Sequence, residues 1–181
     1  QNTLWNLAKA AFATTAAYDR AISARLSEIP TPADVHAAPE ALPPVLDIRA
    51  PRSLSLRYGE NPHQSAALYT TSKTGIAGAE QLQGKELSYN NLIDLDAALA
   101  TVREFGYGLQ SPEIGLPAAV VVKHTNPCGV AVGGTGAEAL TRALDADRVS
   151  AFGGIVALNT PVDSLAASQL TSLFLECVVA P

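Results

Sequence analysis

Three kinds of hydrophobic pattern follow one another along the chain. Leu4, Leu7, Ala8, Ala11, Phe12, Thr15 and Tyr18 recur at helical spacing, and Ile22 and Leu26 extend the stripe. This predicts an amphipathic helix from Leu4 to Leu26 that needs a partner surface. Leu54 and Leu56 alternate with polar neighbours, and Ala66 to Tyr69 resumes after Gly59-Glu60-Asn61-Pro62. That reads as two short strands joined by a turn. From Ala118 to Val122 five apolar residues run without a polar interruption, as in a strand buried on both faces.

Further helices are predicted from Leu92 to Phe105, from Ala137 to Ala146 and from Leu165 to Leu175. Asn91 is read as the N-cap of the first, with Asp94 at its third helical position, and Ser164 as the cap of the last. Ile155 to Leu158 reads as a buried strand, and Glu176 opens a final one, ECVVA. From residue 87 onward the order is helix, strand, helix, strand, helix, strand. Such spacing predicts βαβ crossovers and an α/β fold, a layered sheet with helices on both faces.

Between these elements lie breakers. Pro30, Pro32, Pro39, Pro43, Pro44 and Pro51 mark an extended interdomain linker, within which Val45 to Ile48 is compatible with a short edge strand. Thr71 to Gly84 is a polar loop, and Gly106, Gly108, Ser111, Pro112 and Pro117 make another. Gly133, Gly134 and Gly136 do not form a dinucleotide-binding fingerprint after a strand.

The central strand breaks into Lys123-His124 and the turn Thr125-Asn126-Pro127-Cys128-Gly129. In open α/β sheets ligands bind at the carboxyl ends of strands. An ammonium beside an imidazole disfavours the imidazolium, leaving a ring that accepts a proton near neutral pH. The plainer reading is a pair of ordinary strand-end polar residues. Arg57, Tyr58, Asn61, His63 and Gln64 cluster around the first turn. The planar guanidinium suits phosphate or carboxylate, while the plainer reading is a turn that caps its own backbone. Asn90 and Asn91 either cap a helix or turn an amide to a ligand. Gly153-Gly154 either admits a ligand close to the backbone or makes a tight turn.

Composition narrows the classes. Across 181 residues, 48% are hydrophobic, enough for a sizeable core. A formal net charge of −5 gives no basic field, which argues against a nucleic-acid partner. Cys128 and Cys177 lack CxxC spacing, which argues against a disulfide framework or a zinc site and for a cytoplasmic setting. No apolar run approaches membrane-spanning length, so no membrane partner is expected. The chain begins on Gln1 and ends on Val178-Val179-Ala180-Pro181, just past a strand, so a piece of a longer protein is expected.

Five stretches taken together resemble one family, the bifunctional AICAR transformylase/IMP cyclohydrolases of purine biosynthesis. They are Leu56 to Gln64 (LRYGENPHQ), Ser88 to Leu92 (SYNNL), Lys123 to Gly129 (KHTNPCG), Ser150 to Gly154 (SAFGG) and Glu176 to Pro181 (ECVVAP). The opening helix resembles the last helix of the cyclohydrolase domain. The resemblance thus implies that residues 1–29 close the cyclohydrolase domain, 30–51 are a linker, and 52–181 begin the transformylase domain, with a cytidine-deaminase-like fold lacking that fold's zinc.

The resemblance also implies an activity: formyl transfer from 10-formyltetrahydrofolate, as co-substrate, to the 5-amino group of AICAR, giving FAICAR, which the cyclohydrolase part closes to IMP. His124 would be the proton acceptor and Lys123 its electrostatic partner. Arg57, Tyr58, Asn91, Gly153 and Glu176 would lie in the nucleotide site, with His63 a candidate for assisting. The family implies a homodimer with a composite active site and no metal in this segment, and a segment of this length would by itself be inactive. Two rivals stand beside it. A zinc deaminase of related fold needs PCxxC, whereas Cys128 is followed by Gly129, Val130 and Ala131 with no second Cys. A noncatalytic interaction module would use the apolar helix stripe.

Overall fold

The central strand, β3 (Ala118–Lys123), is buried through Val122 and separates two cores. Ala119 and Val121 face one cluster and Ala118, Val120 and Val122 face the other, as the two-residue period of a strand requires. The computed structural model describes residues 2–34, 36, 42, 45–106 and 115–181, in two units, Gln1–Arg49 and Ala50–Pro181. Pro39, Pro43 and Pro44 of the proline-rich stretch and Gly108, Ser111 and Pro112 of the later loop lie outside the described residues.

In the first unit, α1 (Asn2–Ser27) spans the predicted helix and buries none of its residues. Its apolar stripe is exposed at Leu4, Leu7, Phe12, Tyr18 and Leu26. The helix ends where the amides of Glu28 and Ile29 bond back to Arg25 and Leu26, just before Pro30. The expected edge strand at Val45 to Ile48 is absent, and these residues have no regular structure.

The second unit holds two sheets. β1 (Arg52–Leu56) pairs antiparallel with β2 (Ala66–Tyr69). The larger sheet has the order β4-β3-β5-β6, with β4 at Asn126–Val132, β5 at Ile155–Leu158 and β6 at Cys177–Val179. β3 is antiparallel to both β4 and β5, and β5 is parallel to β6. Helix α2 (Tyr89–Arg103) covers one face through Leu95, Ala98 and Val102. Helices α3 (Gly136–Ala146), α4 (Arg148–Ala151) and α5 (Ser164–Thr171) cover the other, through Leu140, Ala143, Leu144, Ala151 and Ala166. The α/β layering with helices on both faces is as the pattern predicts.

One strand departs from that expectation. Asn126 to Gly129 reads as part of a turn, yet Asn126 to Val132 pairs with β3 along its length. The register shifts between Val121 and Val122, so Cys128 is the extra residue of a bulge. Pro127 is tolerated because β4 is an edge strand and Pro127 adjoins the bulge. The first parallel crossover therefore starts from β4, through α3, and reaches β5 across the intervening β3. Gly129 lets α3 lie directly on β4, since a Cβ there would fall 1.9 Å from the carbonyl oxygen of Ala143. Two caps also shift, from Asn91 to Ser88 for α2 and from Ser164 to Asp163 for α5, and Thr135 caps α3.

Candidate functional site

β3 and β4 are joined by only two residues, His124 and Thr125, with φ of 54° and 62°. Positive φ at both central positions is the pattern of a type I′ hairpin, normally filled by Asn-Gly. A histidine and a β-branched threonine are disfavoured there, at a cost of about 1–3 kcal/mol each. The loop is tied from within and from outside. Thr125 Oγ1 and Asn126 Nδ2 donate to the His124 carbonyl at 2.7 and 2.8 Å. The Thr125 amide donates to Asp94 Oδ1 of α2 at 2.6 Å. The imidazole of His124 is exposed, not packed into hydrocarbon.

The register brings three further stretches to this end of the sheet. Val122 pairs with Ile155, and Ile155 with Cys177, so Lys123, Gly154 and Glu176 lie one step beyond a single row. This end is the carboxyl end of β3 but the amino end of β4, β5 and β6. It differs in that respect from the strand-end site of a wholly parallel sheet. Lys123 is half-buried and its ammonium donates to the Phe152 carbonyl at 2.9 Å. Gly153 has φ of 72°, and its amide donates to the Phe174 carbonyl at 2.8 Å. The rings of Phe152 and Phe174 stand 5.5 Å apart. A Cβ at Gly154 would sit 3.0 Å from the Ala151 carbonyl oxygen and 3.1 Å from that of Val122. Both glycines are thus used by the turn: one for its φ, the other for close backbone packing.

Helix α2 enters the same region by its first turn. Ser88 and Asn91 form a reciprocal capping box: Ser88 Oγ accepts the Asn91 amide and Asn91 Oδ1 accepts the Ser88 amide. Asn91, not Asp94, is therefore the third helical residue. Asn91 Nδ2 then donates to Glu176 Oε2 at 2.5 Å. Asn90 Nδ2 donates to the Glu60 carbonyl at 3.1 Å.

The β1 side is fastened to α2 by backbone. The Arg57 amide donates to the Leu87 carbonyl at 2.8 Å, and the Tyr89 amide to the Tyr58 carbonyl at 3.0 Å. The Arg57 guanidinium lies 4.9 Å from the Tyr58 ring centroid and donates to its hydroxyl at 3.3 Å. Its charge is felt at Cys177. Burial pushes that thiol up to about 11, Glu176 and Asp94 add to the rise, and Arg57 opposes it. The Cys128 thiol is also raised, chiefly by burial, and lies 3.5 Å from the Val121 carbonyl oxygen.

Arg57, Tyr58, Asn91, Lys123, His124, Gly153 and Glu176 are thus linked, directly or through one neighbour, around one end of the sheet. His63 is exposed on the β1–β2 turn, which closes through Gly59, Asn61 and Gln64. Among the described residues, no hydrogen bond or ion pair joins His63 to the other seven. Asp94 is the residue that the sequence pattern assigns elsewhere; its three-residue spacing from Asn91 on α2 is the signal that puts it on the site face.

Among the described residues, no group of three or more His, Cys, Asp or Glu side chains is placed to hold a metal ion. None of the described helices is long and apolar enough to cross a membrane. A depression of about 250 Å³ lies beside Leu99, Leu158, Val179 and Pro181, at the other end of β5 and β6, and none of its lining side chains is polar.

Comparison with known proteins adds the family. The chain matches the model of the AICARFT/IMPCHase bienzyme over residues 1–181. It is 64% identical over 178 residues to the bifunctional purine biosynthesis protein PurH of Synechococcus sp. (strain WH7803), covering 97% of this chain and 33% of that protein. It is 62% identical over 175 residues to PurH of Parasynechococcus marenigrum (strain WH8102), covering 97% of this chain and 32% of the relative. For PurH of Prochlorococcus marinus (strain MIT 9303) the figures are 62% over 180 residues, 97% and 32%. The chain spans about a third of the length of the curated relatives it matches. Matched by the family model over residues 1–181, the chain belongs to the AICARFT/IMPCHase bienzyme family.

Proposed function

We propose that residues 52–181 form the first part of a formyltransferase domain of cytidine-deaminase-like fold, preceded by the end of a cyclohydrolase domain (1–29) and a linker (30–51). The reaction is transfer of the formyl group of 10-formyltetrahydrofolate to the 5-amino group of AICAR. The longer bienzyme then closes FAICAR to IMP, in the cytoplasm, as a homodimer whose transformylase site draws on both subunits. The observation that carries this reading is the convergence of His124, Lys123, Arg57 and Glu176 on one end of the sheet, in a chain of this family.

The chemistry asks for a proton acceptor. The AICAR amine is conjugated with its ring and carboxamide and is a poor nucleophile. Its nitrogen attacks the formyl carbon, and the carbonyl π pair moves to oxygen. The nitrogen becomes acidic and gives its proton to the His124 imidazole, a step worth about 10²–10⁴-fold in rate. The intermediate collapses by breaking the bond to N10 of the folate, which leaves with the proton returned from the imidazole. Lys123 spends one donor on the Phe152 carbonyl, and an ammonium has two more for the oxyanion. Arg57 and Tyr58 take the anionic end of the nucleotide. Gly153 and the Asn91–Glu176 pair border the same ligand, and His63 stands by as an assisting group. No covalent enzyme intermediate is required, so Cys128 serves packing alone.

The test is His124→Ala in the full-length enzyme. Formyl transfer is expected to fall by about 10²–10⁴-fold with AICAR affinity retained. Turnover close to the parent's removes the general-base assignment.

A further inference from the structure

We infer that Asp94 is a positioning residue for His124, holding through the Thr125 amide the two-residue loop that carries the imidazole. The inference rests on the proton-acceptor role proposed above. The bond from Thr125 N to Asp94 Oδ1 measures 2.6 Å and spans 31 positions of chain. Asp94 is half-buried on α2, while His124 and Thr125 are exposed at the hairpin tip. The other side-chain bonds at the tip, from Thr125 Oγ1 and Asn126 Nδ2 to the His124 carbonyl, come from the hairpin itself and fasten it to no other element.

The loop needs such an anchor because of its composition. Both residues hold φ values that side chains other than glycine disfavour, and one of the two is His124. Relaxation of either dihedral toward the right-handed region moves the imidazole from its place at the carboxyl end of β3. An ionised carboxylate accepting a backbone N–H is a charge-assisted bond, among the stronger ones available to an exposed loop. Asp94 also lies three residues after Asn91, on the same face of α2. One helix face thus fixes Glu176 through Asn91 and the hairpin through Asp94. A misplacement of about 1 Å at a catalytic group costs about 10²-fold in rate.

The test is kinetic and spectroscopic, on the full-length enzyme. Asp94→Ala is expected to lower kcat by about 10²-fold, with KM for AICAR within about twofold. Adding Thr125→Gly is expected to return about tenfold of that loss, because glycine takes positive φ freely. Thr125 amide exchange, read by NMR, is expected to quicken by about tenfold or more in Asp94→Ala. A residue serving stability alone lowers the melting temperature without the glycine recovery. Parental kcat in Asp94→Ala, a loss that Thr125→Gly does not relieve, or unchanged Thr125 exchange each overturns the inference. Where the alanine variant does not fold, Asp94→Asn keeps the shape without the charge; about tenfold lower kcat supports the inference and parental kcat overturns it. Turnover that survives His124→Ala defeats the functional reading instead, and Thr125 exchange still decides whether Asp94 holds the loop.

Discussion

Asn91 donates its side-chain amide to the Glu176 carboxylate at 2.5 Å, joining the first turn of α2 to the residue before β6 across 85 positions of chain. The same side chain completes the cap of α2 through its oxygen. Hydrogen bonds to a charged partner contribute about 1.5–3 kcal/mol, and loss of a cap costs about 0.5–2 kcal/mol. Asn91→Ala is therefore expected to destabilise the chain by about 2 kcal/mol or more, read as a lower urea midpoint. Asn91→Asp keeps the cap acceptor but sets two carboxylates face to face. It should be destabilised too, and Glu176→Gln in that background should restore the midpoint by exchanging donor and acceptor. A double variant no better than Asn91→Asp alone rules the pairing out.

Gly129 is where α3 rests on β4. Because a Cβ would meet backbone and not a side chain that swings away, Gly129→Ala is expected to cost about 3 kcal/mol or more. A melting temperature within a degree or so of the parent contradicts that packing.

Arg57 is expected to act on the nucleotide and not on the folate. In the full-length enzyme, Arg57→Ala should weaken AICAR binding by about 10- to 100-fold, the worth of a charged hydrogen bond. Titration calorimetry with each ligand separates the cases, since equal loss for both removes the phosphate-contact role.

Cys177 makes stability fall at alkaline pH. Its thiol titrates near 11 in the folded chain against an ordinary 9.0, so the folded form holds its proton where the unfolded chain has released it. The raised value means full stability below pH 9 and a decline as pH climbs toward 11. Cys177→Ala is expected to flatten that decline relative to the parent, measured as urea midpoints at pH 8, 9 and 10. Parallel curves for the two proteins show that burial of the thiol is not the cause.

How much of this was legible in the sequence follows from what each signal encodes. β3 was plain because an unbroken apolar run has few other uses, and β1 because Leu54 and Leu56 alternate with polar neighbours just before a turn. β4 was hidden because Asn-Pro-Cys-Gly is turn punctuation locally. Pairing with β3 outweighs it, the bulge absorbing Cys128 and the edge position sparing Pro127 a lost hydrogen bond. The I′ hairpin was hidden for a similar reason, since His-Thr lacks the Asn-Gly signature. In Ser88-Tyr89-Asn90-Asn91 several residues qualify as caps, and only the reciprocal Ser88–Asn91 bonds decide among them. Strand direction leaves no mark in periodicity, so the reversed sense of β3 within the sheet was beyond reach. The grouping of Arg57, Lys123, His124 and Glu176 at one sheet end depends on that topology.

A strand apolar on both sides has no preferred face: turned over, β3 would bury valines just as well. Most sheets are kept in frame by the penalty for drowning a polar side chain, and that safeguard is missing along Ala118 to Val122. The frame is set at the two ends of the strand, by the extra residue at Cys128 and the closure at His124-Thr125, and by the Ala118 amide donating to buried Asn159 Oδ1 at 2.7 Å. Sliding by a single position toward the tip would carry Lys123 into the place of His124 while the buried row stayed apolar, so in this chain correct alignment is a condition for chemistry more than for folding.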